Sequence, residues 1–185
     1  MHDIAIETDI ADAGIEINGE FEITGEPLWE ILKPMVLEKG ATPCSVNDWW
    51  ILNKRAYEAK TAHREYLNSF DPTERPDVII SPLTLTPFRP GDMMSTTLRY
   101  ILSVNVLNFP SLALKITEVD RNRDGKMDVS KALNNEDKVV REYWNELIAS
   151  EDIQDFPVSL QIMSPTYDDN EVCKFGSWLA RNLKE

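Results

Sequence analysis

Two cysteines in 185 residues, Cys44 and Cys173, are too few for a disulfide framework. The chain must hold together by burial alone, and both thiols are expected to stay reduced, as in a cytoplasmic setting. No apolar run approaches the length needed to span a bilayer, and Met1 opens onto His2, Asp3 and Glu7 rather than a secretory leader. Histidine is nearly absent: His2 is terminal and His63 lies within a helical stretch, so a histidine-based triad or a zinc site lacks parts. Basic residues are scarce, with 19 Lys and Arg against 32 Asp and Glu. The resulting net charge of −13 repels phosphate backbones and argues against nucleic acid. Glycines are scattered, and neither a Gly-Gly nor a Ser-Ser pair occurs anywhere.

What is present suits a globular chain, 42% hydrophobic and long enough for one domain with a sizeable core. No Lys or Arg precedes Lys33, whereas acidic residues run from Asp3 to Glu30. Residues 1–24 read as an acidic N-terminal arm or hairpin. Within them Ile15 to Ile23 alternates apolar and acidic residues about Asn18-Gly19, a dipeptide suited to a type I′ turn. Pro27 starts a predicted helix to about Lys39, kinked at Pro34 and stopped by Gly40. Ser45 and Asp48 resemble a capping box opening a helix from about Val46 to Ser69. Its stripe of Trp49, Leu52, Ala56, Ala59, His63 and Tyr66 reads as core packing.

Three short apolar runs then alternate with helical patterns. Strands are predicted at Asp77 to Ser81, Leu112 to Thr117 and Val158 to Met163. Helices are predicted from Asp92 to Leu107, from Asn135 to Ser150, and after Ser164-Pro165. The last helix carries Val172, Phe175, Leu179 and Leu183 on one face. Strands without clean alternation, separated by helices, imply an α/β fold: a partial mixed β-sheet flanked by helices on both faces.

Three ordered segments carry a family resemblance. Pro76-Asp77-Val78-Ile79-Ile80-Ser81-Pro82 is the first, Arg99 to Val119 with its Phe109-Pro110 step the second. The third is Asp155 to Ile162 (DFPVSLQI) with the strand-turn-helix that runs on to Glu185. Taken in order over residues 25–185, they resemble the C-terminal portion of amidase-signature enzymes. Glu118-Val119-Asp120 and Asn135-Glu136-Asp137 are similar to fungal acetamidases, and the second segment also to fatty-acid amide hydrolases. The resemblance implies hydrolysis of a carboxamide by a Ser–Ser–Lys triad, with the lysine as final proton acceptor and no cofactor. The family's nucleophile loop and lysine have no counterpart here, so no catalytic residue is assigned. By position, Tyr100, Ile101, Val104 and Asn105 are similar to a segment lining the substrate channel; read from the residues alone, they are equally a core face with a polar cap.

The implied function is the C-terminal part of an amidase, inactive alone. Its small-molecule amide substrate would be bound only after completion by an N-terminal half. The isolated chain would tend to self-associate through the surface such a cut exposes.

A second reading, from a different class, is a non-catalytic binding domain with an EF-hand-like calcium loop. Asp120, Asn122, Asp124 and Asp128 place oxygen donors at loop positions 1, 3, 5 and 9, with Gly125 at position 6. The match fails at position 12, where Lys131 replaces the bidentate glutamate, and the incoming segment reads as a strand rather than a helix. Cys44, ahead of a helix start, has no visible partner base, and Ser81 at a strand end reads as a turn residue.

Overall fold

Ser45 Oγ accepts the Asp48 N–H at 3.1 Å and lies 2.6 Å from Asp48 Oδ2. This reciprocal cap starts the longest helix of the computed structural model, which describes residues 1–28, 32–33, 41–89, 92, 99–150 and 153–183. The chain divides into two units, residues 1–75 with 102–108, and residues 76–101 with 109–185.

In the first unit, α1 (His2–Asp9) packs on α3 (Val46–Asn68). Ile4 and Ala5 of α1 and Leu52 and Leu67 of α3 are buried. Arg55 clamps Glu7 through two hydrogen bonds of 2.5 and 2.9 Å. The α3 stripe is core only along its middle. Ala56, Ala59 and His63 are half-buried, while Trp49 and Tyr66 at its margins are 39% and 62% exposed. An eight-residue partner covers only part of a helix about 35 Å long.

The expected hairpin is corrected: Ile15 to Thr24 forms a helix, α2. Asp12 explains its start, because its carboxylate accepts the N–H groups of Gly14 at 2.7 Å and Glu16 at 2.9 Å. That satisfies donors which a first helical turn leaves open. Gly14 and Gly25, at φ 74° and 70°, terminate the helix at either end. The Asn18-Gly19 signal needs two paired strands to express itself, and here the turn is absorbed into helix. The alternating apolar residues then spread around the helix, and none is buried. The helix predicted from Pro27 falls mostly outside the described residues.

In the second unit three strands pair antiparallel in the order β1-β3-β2: β1 Ile79–Pro82, β2 Ser111–Glu118 and β3 Pro157–Met163. Ile162 of the central strand faces Ile80 on one side and Leu112 on the other. The α/β class is the expected one. Helix α4 (Arg99–Leu107) runs from the second unit into the first, and the start predicted for it at Asp92 lies partly outside the described residues.

Helix α6 (Asp169–Asn182) lies on the sheet through Val172 and Gly176, both buried. A methyl at Gly176 would meet the side chain of Leu112. Helix α5 (Asn135–Ala149), capped by Asn134, packs Trp144, Leu147 and Ile148 against Val119 and Ile153.

Candidate functional site

The four residues singled out on α4 separate by environment. Tyr100 and Ile101 are half-buried, Val104 is 4% exposed, and Asn105 is exposed. The Asn105 carbonyl accepts the Asn108 N–H at 3.1 Å, closing the helix where Asn108 turns to φ 57°. Val104 is therefore packed as core, whereas Asn105 opens onto a cavity.

That cavity lies within the first unit and holds about 210 Å³. Leu102, Val106 and Asn105 of α4 form one wall, Ile4, Ala5, Thr8 and Asp9 of α1 another, and Trp49, Leu52, Asn53, Ala56 and Lys60 of α3 the third. Two of its polar side chains serve their own helices. Thr8 Oγ1 donates to the Ile4 carbonyl at 2.7 Å, and Asn53 Nδ2 to the Trp49 carbonyl at 2.8 Å. Burial pushes the Asp9 carboxyl above the usual carboxylate range. The volume falls below the roughly 300 Å³ at which small-molecule pockets begin, so the cavity can hold a small polar group but not a long acyl chain. Its one hydroxyl, Thr8, is committed to a backbone carbonyl, and no activated nucleophile stands on its wall.

Asp120, Asn122, Asp124 and Asp128 do not converge on a shared point. Asp124 Oδ2 accepts the Asp120 N–H at 2.9 Å, and its other oxygen lies 3.1 Å from Arg123 Nε. Asp128 caps the short 3₁₀ turn Val129–Lys131, accepting the Ser130 N–H at 3.0 Å, with Lys131 3.7 Å away. These partners hold both carboxyls below their ordinary value: Arg123 first for Asp124, Ser130 first for Asp128. Trp144 Nε1 donates to the Gly125 carbonyl at 2.9 Å, and Asn145 brackets Met127 through both its N–H and C=O, so α5 ties the loop down. Among the described residues no group of three or more His, Cys, Asp or Glu is placed to hold a metal.

An open groove of about 530 Å³ at the end of β2 includes Lys115, Glu118, Arg123 and Gln154. Its two cations are paired, Lys115 with Glu118 and Arg123 with the neighbouring Asp124, while Asp120 and Asp155 also line it. Ser81 is half-buried on β1 opposite Gln161, and Cys44 and Cys173 are exposed free thiols.

Two features carried no signal in the sequence. Ser164, wholly buried after β3, lies 2.8 Å from Thr166 Oγ1 and 3.1 Å from Glu171 Oε2, and accepts the Asp168 N–H at 3.3 Å. Gln161, 3% exposed on the central strand, keeps its Nε2 without a hydrogen-bond partner. No helix among the described residues is long and apolar enough to cross a membrane.

Comparison with known proteins joins these observations. A family model described as Amidase matches residues 5–173. A probable amidase of Saccharomyces cerevisiae is 61% identical over 179 residues, covering 97% of this chain and 33% of that protein. An acetamidase of Emericella nidulans is 25% identical over 167 residues, covering 88% of this chain and 29% of its own length. A putative amidase of Schizosaccharomyces pombe is 24% identical over 153 residues, covering 82% and 27%. The chain thus spans a third or less of the length of these curated relatives.

Proposed function

The chain belongs to the amidase family, and from that premise we propose that it is the C-terminal scaffold of a carboxamide hydrolase. In this reading it contributes strands, helices and part of a substrate-channel wall, and does not carry out the reaction. The observation that carries it is a pairing of two facts. The chain is 61% identical to a probable amidase three times its length, yet it contains no Gly-Gly or Ser-Ser pair from which a nucleophile loop could be built. The serine that attacks the amide carbon, the donors that stabilise the oxyanion and the lysine that takes the proton belong to polypeptide outside these residues.

The part left to this chain is positional. Asn105 and the apolar wall around it would border the channel near its polar end, where a small group fits and a long acyl chain does not. Tyr100 and Ile101, earlier on the same helix, enter this reading through the family resemblance alone. The setting is cytosolic, and the isolated chain self-associates through surface that the rest of the enzyme would cover.

The test is direct. Purified chain is incubated with acetamide and with a fatty-acid anilide, and hydrolysis is followed alongside labelling by a serine-reactive probe. The expected result is no turnover and no label. Turnover with stoichiometric serine labelling by this chain alone overturns the reading.

A further inference from the structure

On the outer face of α3, Val46, Trp50 and Tyr57 are 66%, 69% and 65% exposed. At about 100° per residue they fall within about 40° of arc; Trp50 and Tyr57 face away from Leu52, whereas Val46 also borders a groove with Trp49 and with Thr8 and Asp9 of α1. Large apolar side chains are common at protein surfaces singly, but a row of three with a tryptophan among them marks a contact. The helix supplies a second sign. Of its 23 residues only Leu52 and Leu67 are buried, a small share for a helix that owes its stability to packing.

We propose that this Val46–Trp50–Tyr57 row is the seat on which the remainder of an amidase polypeptide docks; the inference rests on the functional reading above. Two quantities select that occupant. The relative at 61% identity matches 97% of this chain, α3 included, and the match covers 33% of that protein, leaving two thirds of it to pack against the matched third. The row itself offers only about 400 Å² of apolar surface, taking side chains of about 150–250 Å² each. That is half of the ~800 Å² per partner which a stable separate complex buries. A contact within one polypeptide does not carry the entropy cost of association and can be that small.

The experiment joins this chain, in place of the matching third, to the remaining two thirds of the Saccharomyces cerevisiae relative. Hydroxyl-radical footprinting with mass spectrometry then compares Trp50 and Tyr57 in the joined protein and in the isolated chain. Protection of both by about fivefold or more in the joined protein is the expected result. A double variant, Trp50→Glu with Tyr57→Glu, should leave the melting temperature of the isolated chain unchanged and lower that of the joined protein.

Equal modification in both proteins overturns the proposal. So does protection that is greater in the isolated chain than in the joined protein, which would make a second copy the occupant. Acetamide hydrolysis by the joined protein is measured in parallel. Activity with Trp50 still reactive sinks this inference and leaves the functional reading standing; protection of Trp50 without activity supports this inference and counts against that reading.

Discussion

Ser164 shows how a residue that looks like punctuation can organise a junction. In sequence it is the first half of a Ser-Pro turn. In the structure its hydroxyl lies between Thr166, Glu171 and the Asp168 N–H, while its own N–H donates to the Pro110 carbonyl at 3.0 Å. Asp168 in turn caps α6 through the N–H groups of Asn170 and Glu171. Ser164 itself is closed to solvent while Thr166 and Asp168 at the rim are exposed, so the Ser164–Glu171 contact is a structural bond that ties the turn to the start of α6. Ser164→Ala leaves Glu171 and the Asp168 N–H short of a partner. It should cost about 0.5–1.5 kcal/mol, the net worth of a hydrogen bond whose partners can still reach water, read as a lower denaturation midpoint at unchanged slope. An unchanged midpoint would show that the turn holds without the hydroxyl. None of this was visible from the sequence, because the partners meet only after Pro165 reverses the chain and Tyr167 adopts φ 62°.

Among the elements, what could be read from the sequence was what is decided locally. Ser45 with Asp48 announces a helix start because the cap and its N–H lie three residues apart in any context; the like pair Asn134 and Asp137 was not read as one. The three strands were found within about two residues, since short apolar runs bounded by Pro have few other uses. Failure came where the outcome depends on a neighbour. Ile15 to Ile23 alternates as a hairpin should, yet it is helical, and Asp12 supplies a start signal that the turn dipeptide concealed. The α3 stripe was read correctly as a packed face and wrongly in extent, because sequence periodicity does not give the width of the partner. Of the four candidate channel residues, Asn105 lines a cavity among the described residues and Val104 is buried, and apolar walls and apolar cores share one pattern. Gly19 gives a sharp test of α2. It sits in a helix with open space around its Cα, so Gly19→Ala should stabilise by about 0.5–1 kcal/mol through helix propensity. A type I′ turn would require φ > 0 there and make the same substitution destabilising. A lower melting temperature for Gly19→Ala would restore the hairpin.

For the chain as a whole, the dominant electrostatic fact is a net charge of −13, and its response to acid separates into two windows. Most of the shifted carboxyls, among them Glu7 beside Arg55 and Asp137 beneath the Leu133 N–H, are held below ordinary values of 4.5 and 3.8. They take up protons only in the lower window, so relief of charge repulsion by their protonation is not available near neutrality. His63 acts in the upper one. Burial on the inner face of α3 lowers its pKa from the ordinary 6.5, because the folded state disfavours the imidazolium. Between the lowered folded value and 6.5 the unfolded chain therefore binds more protons, and stability rises with pH across that interval. Asp9, raised by burial, works with the opposite sign, since its folded form holds a proton more tightly. Its ordinary value is 3.8, so its pull is weakest at the neutral end, where His63 begins to titrate. The melting temperature should accordingly fall as pH is lowered from about 7.5 to 5.5, and His63→Leu should flatten that part of the profile while leaving the steeper loss below about pH 4.5 in place. Differential scanning calorimetry of both proteins across the two windows is the measurement. Parallel profiles above pH 5.5 would remove His63 as the cause and shift attention to the acidic first thirty residues.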